Sequence, residues 1–371
     1  QSGVPDNPGA WLMATAKHRA IDLFRRSKLL ERKHEEFGRE LDARREMVVA
    51  DLDAAVDDDI GDDLLRLIFT ACHPVLPTEA RVALTLRLLG GLTTQEIARA
   101  FLVPEATVAQ RIVRAKRTLA EGRVPFEVPR RAEFPGRLSS VLEVIYLIFN
   151  EGYTATAGDN WARPELCYEA LRLGRMLAEL SPTDPEVHGL VALMEIQSSR
   201  MRARLGPGGE PVPLLEQNRG NWDQLLIRRG FAALLRAEQL GGPPGSYVVQ
   251  AAIAACHARA RTAAETDWPR IAALYEILTV ISPTPVVELN RAVAVAMAFG
   301  PARGLDLVDA LRSQPELRNY HLLPTVRGDL LAKLGRPAEA RAEFERAAAL
   351  TRNVREQAVL RRRAAECPPG P

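Results

Sequence analysis

Aromatic residues are scarce in this chain, with Phe, Tyr and Trp making up 5% of its 371 residues. No alternating runs of β-branched and aromatic side chains are present, so strand signals are absent and an all-α fold is expected. Cysteine is scarcer still. Cys72, Cys167, Cys256 and Cys367 are too few and too scattered for a disulfide framework, and reduced thiols are the expectation. No apolar run approaches the roughly 18 to 20 residues that a membrane span requires. The best candidate, Val141 to Phe149, is ended by Asn150 and Glu151. A signal-peptide pattern is also missing, which makes a cytoplasmic location the expectation. Phosphate-cradling glycine loops and nucleophile elbows are lacking as well, so no catalytic residue, cofactor or enzyme activity is assigned.

Charge of one sign is also lacking overall. A net charge of +2 argues against a nucleic-acid binder along its whole length, but the distribution is uneven. Between Arg81 and Leu119 the bases Arg81, Arg87, Arg99, Arg111, Arg114, Lys116 and Arg117 face only Glu96 and Glu105. By contrast, Glu46 to Asp63 carries acids and no Lys or Arg. One segment suits a polyanion; its neighbour does not.

The basic segment contains "GGLTTQEIARAFLVPEATVAQRIVRAKRTL", Gly90 to Leu119. Thr93 and Glu96 fit a capping box and start a helix at Thr94. Ile97, Ala98 and Phe101 form its inner face, Leu102 and Val103 make the turn, and Pro104 takes the first position of a second helix. There Val108, Ile112, Ala115 and Leu119 form the buried stripe, leaving Thr107, Gln110, Arg111, Arg114 and Arg117 outward. Cap, turn, inner stripe and cationic outer stripe together indicate a helix-turn-helix whose second helix enters the major groove. Two more helices, Asp63 to Ala71 and Thr78 to Leu89, are expected before it. A further one, Ala10 to Leu30, carries Lys17, His18, Arg19, Arg25 and Arg26 on its polar face.

Pro-rich residues from Val124 to Pro135 mark a boundary, beyond which the chain reads as Ala/Leu-rich helix. Pro269, Arg303 and Pro337 recur about 34 residues apart, the period of a tetratricopeptide helix pair. Gly335, Ala340, Phe344 and Ala347 supply small and aromatic positions for a helix crossing. In "LLEQNRGNWDQLLIRRG", residues Gln217, Arg219, Trp222 and Asp223 fit either a recognition spot or a capped helix start anchored by Trp222. Cys72–His73 and Cys256–His257 lack the second spaced pair that a zinc site needs, so no metal is assigned.

These motifs carry a resemblance. "NPGAWLMATAKHRAIDLFRR" resembles the promoter −10-reading part of bacterial sigma factors, and "TEARVALTLRLLGGLTTQEIARAFLVPEATVAQRIVRAKRTL" resembles their −35-reading region 4. With "RPELCYEALRLGRMLAELSPTDPEVHGLVALMEIQSSR" and "YVVQAAIAACHARA" added, the chain is similar to extracytoplasmic-function sigma factors with a C-terminal tetratricopeptide-like extension. The resemblance implies binding to core RNA polymerase and promoter DNA, with no chemistry of the protein's own. It places Lys17, His18, Asp22, Arg25 and Arg26 on the −10-reading helix, and Glu105, Thr107, Gln110, Arg111, Arg114 and Arg117 on the −35-reading helix. It also divides the chain into residues 1–40 (the end of region 2), 41–62 (an acidic linker), 63–124 (region 4) and 125–371 (a helical regulatory domain). Region 2's first helices are expected to precede residue 1. The extension is expected to contact the chain's own sigma domains. Two other readings stand beside this one: a helix-turn-helix regulator that works without polymerase, and a repeat scaffold whose basic helix is incidental.

Overall fold

The computed structural model describes residues 66–368, apart from 91, 102, 125, 126, 128, 130–132, 155, 156, 159–161 and 207–210. The −10 candidates Lys17, His18, Asp22, Arg25 and Arg26 and the acidic segment 46–63 lie outside the described residues. The fold is all-α. Among the described residues, paired strands are confined to two-residue β1 (Ala157–Gly158) and β2 (Arg352–Asn353), which run parallel. The chain forms two compact units, Gln1–Ile145 and Tyr146–Pro371.

The described part of the first unit has a helical stretch, 66–71, then α1 (Thr78–Leu88), α2 (Thr94–Phe101), α3 (Glu105–Glu121) and the first turns of α4 (Phe134–Tyr153). Residues 80–86 of α1 are all buried, which makes this helix the centre of the unit. Arg81 is buried with them, an expensive placement that bonds from both terminal nitrogens offset while its Nε has no hydrogen-bond partner. Its Nη1 donates to Ser140 Oγ and to Glu143 Oε2 (3.0 Å), and its Nη2 donates to Thr78 Oγ1 (2.8 Å). Ser140 Oγ in turn donates to the Cys72 carbonyl at 2.7 Å, and Arg137 Nη2 to the Phe69 carbonyl at 2.7 Å. The Phe69 and Phe134 rings meet at 5.3 Å. The first turns of α4 are therefore latched onto the 66–71 stretch and α1. The sequence put a boundary in the Pro-rich stretch after Val124, whereas the two compact units divide inside α4.

The second unit continues with α5 (Pro164–Leu180), α6 (Pro185–Ser198), α7 (Gln224–Leu240), α8 (Ser246–Arg259), α9 (Trp268–Ile281) and α10 (Pro285–Phe299). It ends with α11 (Pro301–Ala310), α12 (Leu322–Lys333), α13 (Pro337–Leu350) and α14 (Val354–Glu366). Local chemistry starts these helices. Asp184, Asp223, Asp267, Thr284 and Asn353 cap α6, α7, α9, α10 and α14 by accepting from backbone N–H groups that the helix leaves unpaired. Proline occupies a first-turn position in α5, α6, α9, α10, α11 and α13, where its missing N–H costs nothing.

From Trp268 onward, helix pairs begin at Trp268, Pro301 and Pro337, matching the period read from sequence. Ala340, Phe344 and Ala347 are fully buried in the last core, with Leu330, Leu331 and Leu360. Gly328 brings α12 against the Phe344 ring so closely that an added Cβ would lie 2.7 Å from it. Gly335 has a different role from the one expected at a helix crossing. Its φ of 72° is left-handed. Gly335 N–H donates to the Ala332 carbonyl at 3.1 Å and Arg336 N–H to the Leu331 carbonyl at 2.9 Å, the Schellman pattern that ends α12.

Candidate nucleic-acid interface

The turn-and-helix geometry follows the sequence closely. The α2 helix starts at Thr94, with Ile97 and Ala98 buried; Phe101 is half-buried. Arg87 Nη1 donates to the Leu92 carbonyl at 2.8 Å, tying the α1–α2 connection to α1. Pro104 sits one position earlier than expected, as the cap residue of α3 and not its first helical residue. Its φ of −58° and ψ of 142° are extended, so the helical dihedrals begin at Glu105.

On α3, Val108, Ile112 and Ala115 are buried and define the inner stripe; Leu119 is half-buried at its end. Outside that stripe Glu105, Gln110, Arg114 and Arg117 are all exposed, with Thr107 and Arg111 half-buried. A helix displaying amide and guanidinium groups in this order has donors for base edges near its N-terminus and cations for phosphates along its length. Arg117 meets Glu121 at 3.3 Å, but both side chains are about 70% exposed, and such pairs are weak and readily exchanged for a phosphate. Lys116 is half-buried. Burial, helped by Arg87, lowers its pKa.

The second candidate group surrounds the start of α7. Asp223 Oδ1 accepts from Leu225 and Leu226 N–H as the cap of α7, and Trp222 is buried with Ala203 and Ile227. Gln217 is buried, its Nε2 donating to the Val212 carbonyl at 3.0 Å. Arg219 closes the end of α8, donating to the His257 and Ala260 carbonyls at 2.6 and 2.8 Å and to Thr266 Oγ1 at 3.0 Å. The capped helix start anchored by Trp222 is present in this geometry.

Sequence reasoning missed what surrounds Trp222. The Arg204 guanidinium lies 3.3 Å from the Tyr153 ring centre, Arg200 lies 5.7 Å from that ring and 5.8 Å from Trp222, and Arg219 lies 5.0 Å from Trp222. Cations and rings thus form a ladder through cation–π contact. Its members span residues 153 to 222, and no local periodicity announces it. Burial, reinforced by Arg200, brings Arg204 down to about 10.

The two Cys–His pairs are accounted for by packing. Cys72 Sγ contacts Thr85 Oγ1 at 3.3 Å, and burial pushes this thiol up to about 11. His73 Nδ1 accepts from Val75 N–H at 3.1 Å. Cys256 is buried, and His257 packs edge-on against Trp268 at 5.2 Å.

Residues 66–119 match the family model described as "Sigma-70, region 4". The stretch covers 66–71, α1, α2 and α3 up to Leu119. Residues 137–238 match a "Family of unknown function (DUF6596)", which begins within α4 at Arg137, the residue bonded to the Phe69 carbonyl. An uncharacterized protein of Rhizobium meliloti (strain 1021) is 43% identical over 362 residues, covering 97% of this chain and 84% of that protein. The chain belongs to that protein's family. Its first unit carries a sigma-70 region 4 domain, which supports a sigma-70-type factor with a role in DNA binding and transcription. No helix among the described residues is long and apolar enough to cross a membrane.

Proposed function

We propose that this protein is a sigma factor of the extracytoplasmic-function type that directs core RNA polymerase to specific promoters, under the control of its tetratricopeptide-like helical unit. One observation carries the reading: the region 4 match falls on a helix pair whose second helix turns Gln110, Arg114 and Arg117 outward while burying Val108, Ile112 and Ala115. In this proposal Glu105, Thr107 and Gln110 face the bases of the −35 element, and Arg111, Arg114 and Arg117 neutralise its phosphates. Lys17, His18, Asp22, Arg25 and Arg26 read the −10 element, and the acidic 46–63 segment links the two readers. The protein's contribution is positioning and strand opening, without catalysis or cofactor.

Run-off transcription with purified core polymerase and a promoter library tests the reading. Start sites that appear only when the protein is added support it, and their absence refutes it. Control by the helical unit is tested by a chain ended after Tyr153. An earlier stop, at residue 124, would also remove Arg137, Ser140 and Glu143 and so unlatch region 4 itself. Altered initiation without the helical unit is the expected result; unchanged initiation contradicts the control.

A further inference from the structure

The ladder around Trp222 holds a concentration of hydrogen-bond donors without acceptors. Arg200 Nε, Arg219 Nε and Trp222 Nε1 are buried nitrogens with no hydrogen-bond partner, and so is His257 Nδ1. Trp222 is 3% exposed and His257 9%. Buried polar atoms are satisfied in the great majority of cases, so four in one neighbourhood call for a common explanation. Three of the four are obligate N–H donors, and the fourth becomes one when neutral His257 carries its proton on Nδ1.

Charge points the same way. Arg200 and Arg219 make no ion pair among the described residues; their bonds go to Tyr153 Oη, Gln197 Oε1, Thr266 Oγ1 and backbone carbonyls. Glu265, the acid that acts on Arg219, already accepts from Arg261 N–H at 3.2 Å. The two guanidiniums repel each other, and both disfavour a proton on His257. Rings and carbonyls account for part of this arrangement, since cations are favourable at helix C-termini such as that of α8. They leave the Nε–H groups, the indole N–H and two positive charges without an acceptor. Water supplies acceptors but no negative charge. An oxyanion supplies both.

We propose that this end of the second unit binds an oxyanion, the carboxylate or phosphate group of a small ligand, at Arg200, Arg219 and the Trp222 indole N–H. Both arginines are half-buried and meet solvent, but their Nε atoms and Trp222 Nε1 are closed to it, so the anion enters as these side chains shift. The site belongs to the second unit alone, so its test requires neither DNA nor polymerase, and its failure would leave the proposed function untouched.

The full chain is titrated with inorganic phosphate and, separately, with acetate at constant ionic strength, followed by calorimetry and indole fluorescence. Saturable binding of one equivalent is expected, with a Tm that rises with anion concentration. The stronger of the two anions identifies the headgroup. Trp222→Phe keeps an aromatic ring at this position but removes the five-membered ring that carries the indole N–H, and affinity is expected to fall about tenfold while the circular dichroism spectrum is unchanged. Arg200→Gln is expected to abolish binding. If neither anion binds saturably, or if binding is the same in Trp222→Phe and Arg200→Gln as in the parent, the proposal is overturned.

Discussion

Arg114 and Arg117 stand exposed on α3 with at most a solvated partner, whereas in the second unit Arg204 is buried against Tyr153, and Arg327 is buried between Asp309 (2.7 Å) and Glu343 (2.8 Å). A guanidinium left in water keeps its charge available to a polyanion and contributes little to stability. One taken into the fold has its charge committed to rings, carbonyls or carboxylates, and removing it leaves those partners stranded. The same residue type thus serves an exposed surface at Arg114 and Arg117 and holds the scaffold at Arg204 and Arg327. Arg81 belongs to the second kind although it lies within the region 4 stretch, because its bonds to Ser140 and Glu143 hold α4 in place.

The sharpest break in this contrast comes from Arg327→Met. It strands Glu343, whose remaining cation, Arg346, is 3.9 Å away, and unfolding in urea should show a loss of about 3–5 kcal/mol. The opposite pattern is expected for Arg111→Ala with Arg114→Ala. Duplex affinity should drop, and the slope of log affinity against log salt should flatten by about one unit for each phosphate that is no longer neutralised. Stability should stay within about 0.5 kcal/mol of the parent. An unchanged slope would remove α3 from the DNA backbone.

His257 sharpens the picture of the second unit. Burial, together with Arg200 and Arg219, lowers its pKa from 6.5 to about 4. Its unfolded form binds a proton first, so its contribution is fully present above pH 6.5 and is lost as pH falls toward 4. The stability difference between the parent and His257→Gln should change across that window by at most about 1.4 kcal/mol per pH unit. A flat difference would mean that His257 is not held neutral. The smallest effect is expected at a position without charge: Gly335→Ala places a Cβ in the left-handed turn that ends α12 and should cost about 1 kcal/mol in thermal unfolding.

Features of this molecule that depend on neighbours in sequence were legible from the order of residues. The start of α2 at Thr94, the inner stripe of α3, Asp223 as a cap and the spacing of the last helix pairs all rest on interactions a few residues apart. Gly335 was visible as a glycine, but its role was misassigned because a helix crossing and a helix stop both favour one, and only the dihedral angle separates them. Pro104 was displaced by one residue for a similar reason, since cap and first-turn positions both tolerate its ring. The docking of Arg137 and Ser140 on Phe69 and Cys72, and the ladder from Tyr153 through Arg200 to Trp222, join residues roughly 20 to 70 positions apart. Such pairings are set by how helices pack, which no local pattern records. The Pro-rich stretch drew the boundary ahead of α4 because proline signals a break in helix, not a break in packing.

The most direct test of the account is promoter binding measured by footprinting with the protein alone, with core polymerase alone, and with both. A sigma factor is expected to protect the −35 and −10 elements only in the combined sample, with protection at the −35 element weakened by Arg111→Ala and Arg114→Ala. Full-strength, sequence-specific protection by the protein alone, unchanged when polymerase is added, would contradict it and leave a polymerase-independent regulator in its place.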